Sequence, residues 1–254
     1  MKWRRQDGLR WLEAELPGAR AAFSTRAGGS SEAPYESLNV AIKTGDEAGR
    51  VVDNRRRLAA ALGLAPEKVL MAHQVHGAEL RRHRGPQSPR VFADGVPSPV
   101  DADAHATDQP GLAPLVITAD CLPVALAGPG GVAVAHAGWR GLTSGVLARA
   151  AEAVDAAAAA VGPGIGPCCY EVGEEVLDAF AGLDGVADDR MLDLPAAATA
   201  LLAEAGVVEV ELSGLCTSCN PELFYSHRRD GARTGRQAGV AWLQGPPRRT
   251  GAGA

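Results

Sequence analysis

Between Leu112 and Gly141 three apolar runs follow one another with little chain between them. Leu112–Thr118, Val124–Ala127 and Gly131–Ala135 are too short for free-standing helices and rich in small and branched apolar residues. They read as buried strands. The phrase Thr118-Ala119-Asp120-Cys121-Leu122-Pro123 turns the chain between the first two runs, and His136-Ala137-Gly138-Trp139-Arg140-Gly141 follows the third. A hairpin-like excursion of this length invites pairing of Cys121 with His136.

The rest of the chain fits around that sheet. Leu9–Leu16 reads as a short strand or a turn of helix, Ala19–Thr25 as a strand, and Arg26–Ser31 as a glycine-serine loop. Asp46–Leu62 carries an apolar face at helical spacing and stops at Gly63. Val69–Val75 reads as a strand ending at His76-Gly77, and 83–99 as a loop rich in Pro, Arg and Ser. Thr143–Ala160 reads as one helix, broken off by Gly162–Pro167. Val172–Phe180 and Ala196–Ala205 read as helices, Val207–Leu212 as a strand. Leu223–Ser226 and Gly239–Leu243 are the last short apolar segments. Strands and helices mix without a repeated βαβ period. The expectation is therefore an α+β (mixed α/β) fold, one layered catalytic domain over residues 1–245 with central sheets packed against helices. Residues 246–254 read as a flexible tail.

A net charge of −5 with no basic block argues against nucleic acid as partner. Small anionic substrates stay open, because a local pocket can be positive in an acidic protein. The opening MKWRRQDGLRWL lacks the apolar run of a signal peptide. No apolar stretch reaches the length of a membrane span. Five cysteines, an odd number, sit in motif-like phrases, which fits a cytoplasmic protein with reduced thiols. The abundance of alanine reads as compositional bias. Nothing in the sequence assigns an oligomeric state.

His76, Cys121 and His136 share one context: each follows a core strand and precedes Gly or Pro. Imidazole and thiolate are good zinc ligands, and three protein ligands leave a fourth position for water. Taken singly, the plainer readings stand beside this one: a loop histidine at 76, a buried apolar thiol at 121, a hydrogen-bonded strand-end histidine at 136. A metal-free alternative makes Cys121 the nucleophile and His136 its base.

The chain resembles the family once called multicopper polyphenol oxidase, or laccase-like, and now assigned purine nucleoside phosphorylase activity. The phrases carrying this are Phe23–Ser30, Ser37-Leu38-Asn39, Gly45-Asp46, Asn54-Arg55, Gln74-Val75-His76-Gly77 and Asp101–Ala104. The Cys121 and His136 phrases, Gly162–Val172 and Phe224–Asp230 complete the set. The resemblance implies that His76, Cys121 and His136 bind a catalytic zinc, with copper the family's older metal. It implies a fold akin to a toxin deamidase, and phosphorolysis of adenosine, inosine, guanosine and methylthioadenosine, with inorganic phosphate as co-substrate and adenosine deamination besides. A copper-dependent oxidase, a metal-free cysteine hydrolase and a nucleoside-binding module are the competing classes. His73, three residues from His76, competes for the ligand role.

Phosphorolysis needs an anion site. Arg140, four residues past His136, is the first candidate and Arg26 the second. Asn39 is a candidate for ribose or base. Asp120 reads as an acid–base or ligand-orienting group, with Glu79 its competitor in deamination. Cys168 and Cys169, neighbours that cannot readily close on one another, read as packing or site-lining residues, and Cys216-Thr217-Ser218-Cys219 reads as a pair of reduced structural thiols, with a disulfide second. Four ligands on one metal look awkward with Cys168 and Cys169 adjacent.

Overall fold

The computed structural model describes residues 1–88 and 90–244. In chain order the elements are β1 (Lys2–Gln6), β2 (Leu9–Leu16), β3 (Ala19–Ser24), α1 (Ala48–Ala61), β4 (Val69–Leu70), β5 (Leu80–His83) and α2 (Val91–Asp94). Then come β6 (Ala104–Thr107), β7 (Ala113–Thr118), β8 (Leu122–Gly128), β9 (Gly131–Ala137), α3 (Trp139–Thr143), α4 (Val146–Val154) and β10 (Ala158–Val161). The last are α5 (Glu174–Ala179), β11 (Ala187–Asp188), β12 (Met191–Leu192), α6 (Leu194–Glu204), β13 (Glu209–Leu212), α7 (His227–Asp230) and β14 (Gln237–Leu243). The tail expected at 246–254 lies outside the described residues.

Side chains of a strand alternate between its two faces, and here that alternation sets the layers. In β8, Leu122, Val124 and Leu126 join one core with α4 and α6, while Ala125 and Ala127 join another with β2, β3 and β10. In β3, Ala21 and Phe23 face that same inner core, while Ala22 faces a third, shared with Leu58 of α1 and Phe92 of α2. Two six-stranded sheets therefore stack face to face, each with helices on its outer side. Their orders are β1-β2-β3-β14-β7-β4 and β13-β10-β8-β9-β6-β5. Pairing is antiparallel except β4 with β7, β5 with β6 and β10 with β13. Eight of the twelve buried residues between the sheets are alanine. The alanine excess thus has a structural use, since small side chains let two sheets approach closely.

The layered α+β architecture is as expected, but several segments differ. The helix expected over Thr143–Ala160 is three elements. Gly145, at φ 84°, separates α3 from α4, and Asp155, at φ 46°, ends α4. Ala158–Val161 is then a strand between β8 and β13. Alanine favours a helix by propensity, but here its small side chains fill the narrow space between sheets, and packing wins. Of Val69–Val75 only Val69 and Leu70 pair as a strand. Gln74 continues the edge with its side chain: its amide donates to Ile117 O and accepts from Ile117 N, both at 2.8 Å. The expected loop at 83–99 contains α2, and His83 ends β5. β1 is an exposed edge strand with no apolar alternation to announce it. Leu223–Ser226 is a turn into α7, which Ser226 caps by accepting from Arg229 N.

Candidate metal centre and the cavity beside it

β7 lies in the first sheet and β8 in the second, so the turn Ala119-Asp120-Cys121 carries the chain across. Asp120 adopts φ 89° to make that crossing. Cys121 is thereby set at the head of β8. His136, near the end of β9, pairs in register with Pro123 of β8. His76 comes from the loop after β4, at φ 62°. The ligand atoms of His76, Cys121 and His136 all lie within 4.8 Å of one another. The two imidazoles meet edge to face at 71°, with ring centres 4.8 Å apart. Gly138 makes room for them: a Cβ there would stand 2.8 Å from the Cys121 sulfur and 3.5 Å from the His76 ring.

Asp103 holds this cluster together. Its fully buried carboxylate accepts from the backbone N–H of Val75, His76 and Gly77 at 3.0, 3.0 and 2.8 Å. Its Oδ1 also accepts from His136 Nδ1 at 2.7 Å. One carboxylate thus fixes the backbone of the first ligand and the ring of the third. The bond to Nδ1 leaves His136 Nε2 free to ligate, the carboxylate–histidine arrangement common around metals. Burial pushes the Asp103 carboxyl up, but the His136, Gly77 and Val75 bonds outweigh it and hold the group charged. Burial likewise opposes ionisation of Cys121, yet His136 and His76 bring its thiol down to about 6. Burial disfavours the His136 cation, but the Cys121 charge and Asp103 raise it to about 9. Without a metal the cluster rests as a thiolate–imidazolium pair.

A cavity of about 530 Å³ opens beside the cluster, within the range of small-molecule sites. Its wall includes Lys43, Thr118, Ile165, Tyr170, Arg228 and Arg236. The Thr118 hydroxyl is buried without a protein partner among the described residues. Tyr170 is pushed up to about 12 by burial and by the Cys121 charge, so it keeps its proton. Arg236 spends one nitrogen on the Thr234 and Gly235 carbonyls, at 2.9 and 2.8 Å.

The expected anion and ribose residues are placed elsewhere. Arg140 is exposed, stacks over Trp139 at 4.2 Å, and lies outside the cavity lining, though Tyr170 feels its charge. Arg26 ties two loops together: it donates to Glu36 O at 2.7 Å and Pro221 O at 2.9 Å, over the Tyr225 ring. Asn39 is fully buried and committed to Ala41, Thr44, Asp46 and Arg236 N. Neither Arg26 nor Asn39 reaches the cavity. Asp120 does line it, but its oxygens accept from Thr217 Oγ1 at 2.6 Å and Arg228 N at 2.7 Å. The Glu79 carboxylate pairs with Arg149 outside the cavity. His73 pairs with Asp101 at 2.9 Å and is not in the ligand cluster. Asp103 behind the cluster, and Lys43, Thr118, Tyr170, Arg228 and Arg236 in the cavity wall, are residues to which the sequence assigned no role. Asp103 stood in a regularly spaced Asp-Ala-Asp-Ala phrase, the only signal it offered.

Two imidazoles and a thiolate, with a carboxylate behind one ring and one side open to a cavity, suit a catalytic transition metal. Fold and site together define a two-sheet α+β protein with a candidate metal centre beside a small-molecule-sized cavity. A family model described as multi-copper polyphenol oxidoreductase laccase matches residues 20–244, and the chain belongs to that family. The purine nucleoside phosphorylase YlmD of Geobacillus stearothermophilus is 36% identical over 260 residues, covering 91% of this chain and 93% of its own. The purine nucleoside phosphorylase YfiH of Escherichia coli is 40% identical over 240 residues, covering 89% and 94%. The crystal structure of Bacillus licheniformis hypothetical protein YfiH superposes with a TM-score of 0.84 at 31% identity, covering 95% of this chain and 99% of that one. The YlmD structure gives 0.84 at 32%, covering 96% and 99%. Among the described residues no helix is long and apolar enough to cross a membrane.

Proposed function

We propose that this chain is a zinc-dependent purine nucleoside phosphorylase whose metal is held by His76, Cys121 and His136. The observation that carries the reading is the convergence of those three ligand atoms, within 4.8 Å, on a cavity of about 530 Å³ with cations in its wall. The names of the relatives supply the substrate class.

Zinc held by His76, Cys121 and His136 would supply Lewis acidity to a ligand in the cavity. The protein does the rest. Arg236, Lys43 and Arg228 give the cavity the positive charge that phosphate requires, replacing Arg140 and Arg26 in that role. A phosphate oxygen bonds to the ribose C1′ as the bond from C1′ to the purine nitrogen breaks. The electron pair leaves with the purine, which gains a proton. Tyr170, protonated in the cavity wall, is the donor we assign to that proton, directly or through water. The unpartnered Thr118 hydroxyl offers a hydrogen bond to ribose or base. Asp120 acts through Thr217 and Arg228, as a positioning residue.

Copper also accepts imidazole and thiolate. Copper electron-transfer sites of this donor set carry a weak axial methionine, whereas here the fourth side opens to a cavity. The test is product analysis with adenosine, inosine, guanosine and methylthioadenosine, with and without phosphate, on protein of measured metal content. Phosphate-dependent release of free base, tracking zinc, is expected. No turnover of any of these with phosphate overturns the reading. Phosphate-independent inosine from adenosine reports deamination. Full activity in metal-free protein transfers the chemistry to the Cys121–His136 pair. Nucleoside affinity without turnover marks a binding module.

A further inference from the structure

A second cluster of metal-ligating side chains lies outside the cavity. Cys168 and Cys169 sit on the turn that follows the Gly162–Pro167 loop, and Cys216 and Cys219 bracket a turn of their own. The two turns are locked side by side. Gly164 bridges Cys216 in parallel, Thr217 N donates to Gly164 O at 2.9 Å, and Gly164 N donates to Leu215 O at 3.3 Å. All four sulfurs lie within 4.8 Å of one another. Cys219 Sγ is 3.4 Å from the sulfurs of both Cys168 and Cys169.

Those separations bracket the one a metal requires. Four bonds of about 2.3 Å to the corners of a tetrahedron put sulfurs about 3.8 Å apart. The adjacency of Cys168 and Cys169, which made four ligands look awkward from sequence, is resolved by the turn. It aims both sulfurs at Cys219. Backbone amides already serve the cluster: Gly166 N donates to Cys216 Sγ at 3.3 Å. Four thiolates this close repel unless a cation sits among them.

We propose that Cys168, Cys169, Cys216 and Cys219 form a closed, structural zinc site, separate from the His76–Cys121–His136 centre. Soft thiolates in tetrahedral array select zinc among the common divalent ions. The site braces one wall of the cavity. Ile165 N donates to the backbone O of Asp120 at 2.7 Å, Thr217 Oγ1 donates to its side chain at 2.6 Å, and Ile165 and Tyr170 line the cavity. The metal ties together the two loops that carry these groups.

The test is zinc content and thiol reactivity of the full chain, purified under reducing conditions without added chelator. Wild type is expected to hold about two zinc equivalents. Cys121→Ser is expected to lose one and Cys219→Ser the other. Cys219 is exposed, so that substitution spares the core. In Cys121→Ser loaded with Co²⁺, the strong thiolate-to-metal absorption of a sulfur-rich tetrahedral site should persist. In wild type, alkylation of Cys168 and Cys219 should be slowed about tenfold or more until zinc is chelated. The proposal is overturned by unprotected thiols in zinc-replete protein, by disulfides among these four cysteines, or by Cys219→Ser keeping both equivalents. This outcome is independent of nucleoside turnover.

Discussion

Replacing Asp103 by Asn isolates the role of one carboxylate. Its Oδ1 serves His76 N and His136 Nδ1, and its Oδ2 serves Val75 N and Gly77 N. An amide keeps the shape but converts one oxygen to NH₂. Whichever way it turns, two N–H donors lose their acceptor. If the NH₂ faces His136, the ring must present Nδ1 as acceptor and put its proton on Nε2, where the metal would bind. If it faces Val75 and Gly77, the His76 loop is released. Each buried donor left unpaired costs about 1–3 kcal/mol. The sites are partly buried, so the lower end applies and the total is about 2–4 kcal/mol. For a domain of this size that lowers the melting midpoint by roughly 5–10 °C. Loss of such an outer carboxylate costs about 10–100-fold in metal affinity. Thermal denaturation and zinc competition against a chromogenic chelator measure the two effects. Asp101→Asn is the control: it breaks only the exposed pair with His73 and should change neither. Zinc affinity within about twofold of wild type in Asp103→Asn would refute the tautomer-holding role assigned here.

Gly138→Ala should abolish metal binding while the chain still folds: φ −82° and ψ 171° suit alanine, but its Cβ meets the Cys121 sulfur. A refined structure with intact metal would count against it. Zinc binding should release about one proton, from His136, so affinity should climb about tenfold per pH unit between the Cys121 value near 6 and the His136 value near 9. Calorimetry in buffers of different ionisation enthalpy reads this, and a flat profile rejects it. Arg236→Ala should raise the KM for phosphate more than that for nucleoside, whereas Arg26→Ala should lower the melting temperature with KM unchanged. Equal KM effects would refute the assignment. His83 and His105 face each other at 3.1 Å, and burial holds them neutral, to about 4 and about 3. Their folded values lie below the unfolded value of 6.5. Stability is therefore full above about pH 6.5 and is lost as pH falls towards 4, about 3 kcal/mol for His83 alone. Urea titrations at several pH values check the sign.

Two of the candidate ligands were legible by a local signal, since Cys121 heads one apolar strand and His136 lies near the end of another, while His76 stands in a loop past β4. What holds them was not. Asp103 reaches His136 across 33 positions and His76 across 27, and those contacts exist only once β6 lies beside β9. Arg236 faces the cavity because β14 pairs with β7, whose end turns into Cys121. Nothing near either residue encodes that placement. Arg140 lies outside the cavity lining for the converse reason. Closeness in sequence to a ligand suggested closeness in space, but Trp139 begins a helix and carries its neighbour outwards. The alanine run at 156–160 misled through propensity, since its fate depends on two flanking strands. The cysteines show the same limit at a finer scale. Two adjacent thiols seem unable to share one metal as long as the chain between them is imagined extended. The turn at 167–169 removes that objection, and the second turn brings the other pair within range. Local pattern therefore located groups capable of chemistry, while pairing across the two sheets decided which of them meet. Removing a long-range anchor such as Asp103 should then disturb the site more than removing a sequence neighbour such as Arg140.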